Sequence, residues 1–516
     1  MRDFELIIIL GFQKHPELAL IPVAKVVWLF ESTKLSKLLN FRKIRQFTCF
    51  NFAELSKSPL KPRPNLYFTT SSSMDLLKQL FAEKAQALSK EVKELLKEHG
   101  NVKIDDVALE QAYGGMRDIT SMIWEPSLLD PEEGIRFRGY SIPELREKLP
   151  RAKNGKEPLP EGLFWLMLVG EIPTPEQVKW LTENWVRRAN VPEHVFRAVD
   201  SLPVDAHPMT QLSVGILAMQ NTSVFAQRYT MGMTRSEYWD ATYEDTMNLI
   251  ARLPRLAAYI FRRVYHKGDH LLPDISLDWG ANFAHMLGYD DDGLKEYMRL
   301  FLTIHADHEG GNASAHTTHL VGSTLSDPYL SLSAAMNALA GPLHGLANQE
   351  VIRWIQKMVD TLGTSKPTRE QIGEYVKSTL ASGRVIPGYG HAVLRKPDPR
   401  YMAQRQFCED NVPEDDLVKV VWKIFDVVPP ILSSLGKVKN PWPNVDAHSG
   451  AVLIHYGLTQ YNFYTVLFGV SRSLGVLAAQ CWARALNLPL ERPKSVTTAW
   501  VKEYLAKEGK LKTEEE

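Results

Sequence analysis

From position 75 to 99, apolar residues return at Leu76, Leu77, Leu80, Phe81, Ala85, Leu88, Val92, Leu95 and Leu96, and Gly100 closes the run. That three-to-four-residue spacing belongs to a helix buried along one side. Similar runs predict helices over 164–169, 244–265, 297–305, 331–340, 370–380, 415–432 and 461–485, with a break or kink at Pro254 in the second. A further run opens at Leu346, continues through Val351, Ile352, Ile355, Met358 and Val359, and stops near Gly363. A short β-ribbon is expected within 119–140, where Gly134-Ile-Arg-Phe-Arg-Gly139 alternates. Strands do not alternate with helices along the chain, which argues against a parallel dinucleotide-binding sheet. The expected fold class is mostly α.

Three stretches break this helical regularity and place a titratable side chain in a glycine- or proline-rich bend. They are Gly341-Pro-Leu-His344-Gly-Leu-Ala-Asn, Pro387-Gly-Tyr-Gly-His391-Ala-Val-Leu-Arg395 and Asn440-Pro-Trp-Pro-Asn-Val-Asp446-Ala-His-Ser-Gly450. His344 falls at or just before a helix N-terminus, whose positive end disfavours imidazolium and predicts a neutral, hydrogen-bonding ring. His391 follows Gly388 and Gly390, which open backbone conformations closed to other residues and let a ligand approach the main chain. Asp446 lies past Pro441, Trp442 and Pro443, apolar walls that would raise a carboxyl pKa and strengthen it as a base. Singly, each is more often a helix cap or a core residue. Together, two imidazoles and a carboxylate can move a proton off carbon while polarising two carbonyls.

Longer motifs surround these residues. His305-Ala-Asp-His308-Glu-Gly-Gly-Asn312, Ser314-Ala-His-Thr-Thr-His319, Gly341 to Glu350, Val385 to Arg400, Asn440 to Gly450, Ser471-Arg472-Ser473 and Glu491-Arg492-Pro-Lys-Ser495 occur in this order. From about Met74 to the C-terminus the chain resembles eukaryotic citrate synthases. The resemblance implies a multi-helical, two-domain fold and a Claisen-type condensation of acetyl-CoA with oxaloacetate, followed by hydrolysis of citryl-CoA. It implies that Asp446 removes a methyl proton, His344 stabilises the enol oxygen and His391 polarises the oxaloacetate carbonyl. Arg400, Arg472 and Arg492, with His308, match the positions that hold the oxaloacetate dianion. Arg492 is expected to reach into the neighbouring subunit of a homodimer.

For coenzyme A, the resemblance implies that the loop from Val385 through Gly388 to Gly390 receives the adenine. Arg395, Arg117 and Arg235, the last from the partner subunit, match phosphate contacts. Asp118 follows Arg117 where the family pattern has glycine, which sets an acid beside an implied phosphate contact. No cofactor and no metal are implied. A 2-methylcitrate synthase using propionyl-CoA would share the same trio, since one methylene in a pocket is worth only about 1–3 kcal/mol. A reading from another class is a metal-binding protein built on His305, Asp307, His308, His316 and His319, with the helix carrying the first three ending at Glu309-Gly-Gly311.

Composition narrows the partners. With 60 basic and 60 acidic residues in 516, no net field draws the chain to nucleic acid or an anionic membrane. Cys49, Cys408 and Cys481 show no paired spacing, as expected of a reducing compartment. Between 32 and 73 the bases Lys34, Lys37, Arg42, Lys43, Arg45, Lys57, Lys61 and Arg63 face a single acid, Glu54, and end in Thr69-Thr-Ser-Ser-Ser73. That profile predicts a mitochondrial transit peptide, with a disordered basic tail as the alternative. Apolar stretches further upstream are broken by Lys14, Pro16, Glu17, Pro22 and Lys25, so no membrane span is expected there. The C-terminus lacks a Ser-Lys-Leu peroxisomal address, which favours the mitochondrial matrix. The expected organisation is an N-terminal extension over 1–73, a large helical domain over 74–345 plus 451–516, and a small domain over 346–450 that closes on it.

Overall fold

Helix α11 (Tyr464–Ala485) is the hub: every one of its 22 residues except Ala483 is buried. A helix apolar all round must be enclosed by protein or by lipid. The segment Tyr461–Ala485 is long and apolar enough to cross a membrane, but 94% of its apolar window is buried by its own fold, which makes it a core helix. The structure, a computed structural model, describes residues 75–511 apart from 437. The expected transit peptide and Cys49 lie outside the described residues.

The other helices that bear on the site, numbered in chain order, are α1 (Leu76–His99), α2 (Pro160–Val169), α3 (Tyr238–Val264), α4 (Asp292–Ile304), α5 (Ala313–Ser323) and α6 (Pro328–Leu339). They are followed by α7 (Ala347–Leu362), α8 (Pro399–Asn411), α9 (Asp416–Ser434), α10 (Asp446–His455) and, after α11, by α12 (Thr498–Lys507). Helices α2, α3, α4, α5 and α6 all pack on α11. Gly475 in α11 lets the chain at 306–307 come so close that an added Cβ would lie 2.5 Å from the Ala306 carbonyl oxygen. Helices α8 and α9 pack on α10, and so does α7, which fixes the start of α10 from several sides.

Local chemistry explains most helix ends. Asp75 accepts the Lys78 N–H at 3.0 Å as the N-cap of α1, and Gly363 closes α7 in the left-handed region at φ 67°. The expected β-ribbon is a three-stranded antiparallel sheet, β1 (Ser127–Asp130), β2 (Gly134–Phe137) and β3 (Tyr140–Ser141), with Leu128 opposite Arg136 and Phe137 opposite Tyr140.

Two sequence expectations need correcting. Helix α3 runs through Pro254 without the break that is one of the two outcomes expected there. Both Leu253 and Pro254 are buried there, so packing outweighs the lost backbone donor. Helix α4 ends at Ile304, with His305 as its C-cap, so His305 and His308 do not share a helical side. Residues 305–312 instead form a connection between α4 and α5, and that connection floors the site described next.

Candidate active site

Arg472 projects from α11 with no exposed surface. Its Nε donates to the His305 carbonyl at 3.2 Å, and its Nη1 donates to Asn312 Oδ1 at 2.7 Å and Ser314 Oγ at 3.1 Å. The guanidinium also stacks 4.7 Å above the Phe468 ring. Burial lowers its pKa to about 10, which leaves it charged at neutral pH. Ser314 Oγ in turn lies 3.0 Å from His344 Nε2 and 2.9 Å from Asn312 Oδ1. The hydroxyl has one proton for those two acceptors. Directed at Asn312 Oδ1, it leaves Nε2 to donate to the hydroxyl; directed at Nε2, it leaves the ring proton of His344 on Nδ1, free to be given to a ligand. Burial, and then Arg472, push His344 down to about 3, so its ring is neutral. The sequence reading reached a neutral ring through the helix dipole; in the structure, burial and a buried cation produce it.

His391 is neutral for similar reasons: burial first, then Arg400, lower it to about 4. Its tautomer follows from its neighbours. Nδ1 accepts the backbone N–H of Val393 at 3.0 Å and of Leu394 at 3.1 Å, so the ring proton sits on Nε2. That N–H faces His308 Nε2 at 3.1 Å, which Arg400 Nη2 also approaches at 3.3 Å. His308 Nε2 is therefore an acceptor, and its Nδ1 is buried without a partner among the described residues. Burial, followed by Arg400 and His391, holds His308 well below its ordinary value. Arg400 is neutralised by Asp398, which accepts Nε at 3.0 Å and Nη2 at 2.7 Å. Burial alone would raise Asp398, but Arg400 overcomes it and keeps the carboxyl below the usual carboxylate range.

Asp446 is carried by a bend laid against the bend of His391. Gly390 N–H donates to the Trp442 carbonyl at 3.0 Å, Asn444 N–H to the Gly388 carbonyl at 2.9 Å, and Tyr389 pairs with Pro443. Gly388, at φ 77°, must be glycine: an added Cβ would sit 2.8 Å from Val351 and 3.0 Å from the Ala447 backbone. Asp398 also accepts the Val445 N–H at 3.2 Å, which ties the Arg400 ion pair to the residue before Asp446. Asp446 is the first residue of α10, 9% exposed, and its Oδ1 has no partner among the described residues. Burial pushes its carboxyl up to about 7, with Arg400 and Arg472 opposing the shift and Asp398 adding to it. The site thus combines a weakly acidic carboxyl, three neutral imidazoles and two buried guanidiniums.

Residues 115–494 match the family described as citrate synthase, C-terminal domain. The chain belongs to the citrate synthase family. A mitochondrial citrate synthase of Daucus carota is 56% identical over 442 residues, covering 85% of this chain and 93% of that one. Citrate synthase 4, mitochondrial, of Arabidopsis thaliana is 54% identical over 90% of this chain and 98% of its own. Among solved structures, citrate synthase from Pyrobaculum aerophilum matches with a TM-score of 0.64 at 28% identity, over 75% of this chain and 92% of that one. The mostly α, multi-helical fold expected from the sequence is the fold of this citrate synthase family.

The positions matched to coenzyme A contacts in this family lie outside that buried group. Val385 is 79% exposed at the head of its loop. Arg395 Nη1 is turned onto the carbonyls of Ala392, Val393 and Leu394 at 3.1, 2.6 and 3.0 Å. Arg117 is exposed, and Asp118 beside it takes φ 62°, the left-handed region that glycine favours and aspartate tolerates, which accounts for a family glycine there. Arg235 holds Asn487 through Nε at 3.1 Å and Nη2 at 2.8 Å, at the edge of a separate cavity of about 430 Å³. Arg492 is exposed and also stands apart.

The histidine-rich stretch is engaged at separate places. His305 Nδ1 binds the Phe301 carbonyl at 2.9 Å, Asp307 accepts Trp124 and Ser127 at 2.7 Å each, and His316 pairs with Glu491. Sequence reasoning missed the roles of Ser314, Asn312, Asp398 and Asn444. Asp398 did carry a signal, since an aspartate before Pro399 at a helix start is a cap, and here the cap doubles as the partner of Arg400.

Proposed function

We propose that this chain condenses acetyl-CoA with oxaloacetate, with Asp446 as the base, His344 as the donor to the enol oxygen and His391 as the donor to the ketone. The enzyme is a citrate (Si)-synthase, a transferase of the mitochondrial tricarboxylic acid cycle. Asp446 takes a proton from the acetyl methyl group, and the charge developing on the thioester oxygen is met by His344. The enol carbon then attacks the oxaloacetate ketone, whose oxygen replaces His308 Nε2 as acceptor of the His391 Nε2–H and takes that proton as the new C–C bond forms, and the proton held by Asp446 returns the ring to its neutral form. Water cleaves the citryl thioester to give citrate and coenzyme A. The two substrates, one water and these side chains balance every step, so no further cofactor is invoked.

Neutral donors suit this task. An imidazole already charged would not strengthen its hydrogen bond as negative charge appears on oxygen, and donors aimed at such developing charge carry most of the stabilisation. Arg400, Arg472 and His308 surround the place for the oxaloacetate carboxylates, and Arg492 of a second subunit completes it in a homodimer. Arg395, Arg117 and Arg235 serve the phosphates of coenzyme A, and the exposed main chain of 385–390 serves its adenine. The segment 346–450 closes on 74–345 and 451–516 around the ligands and expels water.

The single observation that carries the reading is the Asp446 carboxyl, buried with Oδ1 unpartnered among the described residues and pushed up to about 7, in a site where His344 and His391 take up no second proton at neutral pH. Steady-state assays test it. Acetyl-CoA is expected to be turned over far faster than propionyl-CoA, and a folded Asp446→Ala enzyme is expected to lose citrate formation. Citrate made at the parental rate by that variant would refute the assignment.

A further inference from the structure

Arg492 sits in the segment 488–497, which is neither helix nor strand and joins α11 to α12. A residue that must deliver a guanidinium to another subunit needs a fixed backbone, because a long side chain on a loose strand spreads its charge over many positions. The fixture is Glu491. Its N–H donates to Ser323 Oγ at 3.1 Å, Oε1 lies 2.8 Å from His316 Nε2, and Oε2 lies 3.9 Å from His319 Nε2. His316, His319 and Ser323 all belong to α5, and the two histidines stand three residues apart on one side of it. The first turn of the same helix carries Ser314, which touches Arg472 and His344 in this chain's own site. One rigid element therefore holds part of the local site and the base of the arm that leaves it.

The geometry is that of a clamp and not of a metal centre. Two ligands of one tetrahedral zinc stand about 3.3 Å apart for bonds of about 2.0–2.1 Å. The 2.8 Å contact between Glu491 and His316 is a direct hydrogen bond. Arg492 precedes Pro493, which biases it to an extended or polyproline conformation in which neighbouring side chains diverge. Holding Glu491 against α5 turns Arg492 away from it, and Arg492 is exposed, with no hydrogen bond from its side chain among the described residues.

We propose that Glu491, clamped by His316 and Ser323 of α5, is a positioning residue that aims Arg492 at the oxaloacetate held by the neighbouring subunit. This rests on the reading of Arg492 given above. Full-length enzyme carrying Arg492→Leu, Glu491→Leu, His316→Leu or Glu491→Leu with Arg492→Leu is compared with the parent in steady-state kinetics. Arg492→Leu is expected to raise the oxaloacetate KM at least tenfold, as loss of a charge-assisted pair does. Glu491→Leu should raise it about fivefold or more while leaving the acetyl-CoA KM within about twofold, and His316→Leu should reproduce the change from the helix side. The double variant should be no worse than Arg492→Leu, because the clamp acts through that arginine. An unchanged oxaloacetate KM in both Glu491→Leu and His316→Leu, with Arg492→Leu still impaired, would overturn the clamp alone. So would effects that multiply in the double variant. An unchanged KM in Arg492→Leu would overturn the underlying reading and the clamp with it.

Discussion

Replacing Asp446 with asparagine removes the proposed base and, with it, a charge that the folded chain holds out of water. The carboxyl is 9% exposed, and burial lifts it from 3.8 to about 7. At about 1.4 kcal/mol per unit, a gap of roughly three units is worth about 4 kcal/mol. Because the folded value is the higher one, the folded chain binds this proton more tightly than the unfolded chain does. Below about pH 3.8 both states carry the proton and no penalty exists. Between about 3.8 and 7 the unfolded chain sheds a proton that the folded chain keeps, and stability falls by about 1.4 kcal/mol per pH unit. Above about 7 both are ionised and the full penalty persists.

Asparagine cannot ionise and escapes the penalty. With an unfolding entropy of about 2.1 cal/mol/K per residue over roughly 440 residues, about 4 kcal/mol corresponds to about 4 °C in apparent Tm. Thermal scans of ligand-free parent and Asp446→Asn from pH 4 to 9 are therefore expected to coincide near pH 4 and to separate by about 4 °C at pH 8, with the variant the more stable. Citrate formation by that variant should fall by about 10²–10⁴. A stability gain independent of pH, or a loss at pH 8, would refute the argument that burial holds this carboxyl at a raised pKa.

Two further substitutions probe the support of the site. Asp398→Asn leaves the Arg400 guanidinium, 3% exposed, without its counter-charge, which costs about 3–5 kcal/mol and should lower the apparent Tm by about 3–5 °C. Oxaloacetate restores negative charge beside it, so the Tm rise on adding oxaloacetate should exceed the parental rise; an equal or smaller rise in differential scanning fluorimetry would count against that pairing. Ser314→Ala strips His344 Nε2 of its buried partner at 3.0 Å, a loss of about 1–3 kcal/mol, and should lower kcat/KM about 5- to 150-fold. A variant with parental kcat/KM would show that Ser314 does not orient the ring.

Helices announce themselves in sequence because their burial is periodic, and α1, α7 and α11 were all legible from their apolar stripes or runs. Pro254 misled because propensity is local, whereas the packing of α3 against α11 is not. The end expected at 305 is met within one residue, and only the longer helix to Glu309 of the metal-binding reading misled, for a related reason. The apolar run through Ile304 is followed by polar residues whose burial depends on Arg472, 167 positions away from His305. His344, His391 and Asp446 stood out because each sits in an unusual bend. The partners did not, since Ser314 and Asp398 look like ordinary caps until the chain has folded, and the pairing of 388–390 with 442–444 is a long-range contact that neither bend encodes alone.

Permanent positive charge and proton-bearing groups are kept on different residue types here, and the division has a chemical consequence. Arg472, buried yet still charged at neutral pH, and Arg400, locked to Asp398, attract carboxylates without competing for protons. Burial, reinforced by their field, keeps a second proton off His344, His391 and His308 and leaves those rings as neutral donors and acceptors. The same field acts on Asp446 in the opposite sense, since Arg400 and Arg472 are what lower a carboxyl that burial raises. In the proposed site a dianion seated between the two guanidiniums would cancel much of that attraction, and the carboxyl would become more basic once oxaloacetate is in place. The base would then be strongest toward an acidic methyl group at the moment an acceptor for the resulting carbon nucleophile is present, and weakest when proton abstraction would lead nowhere.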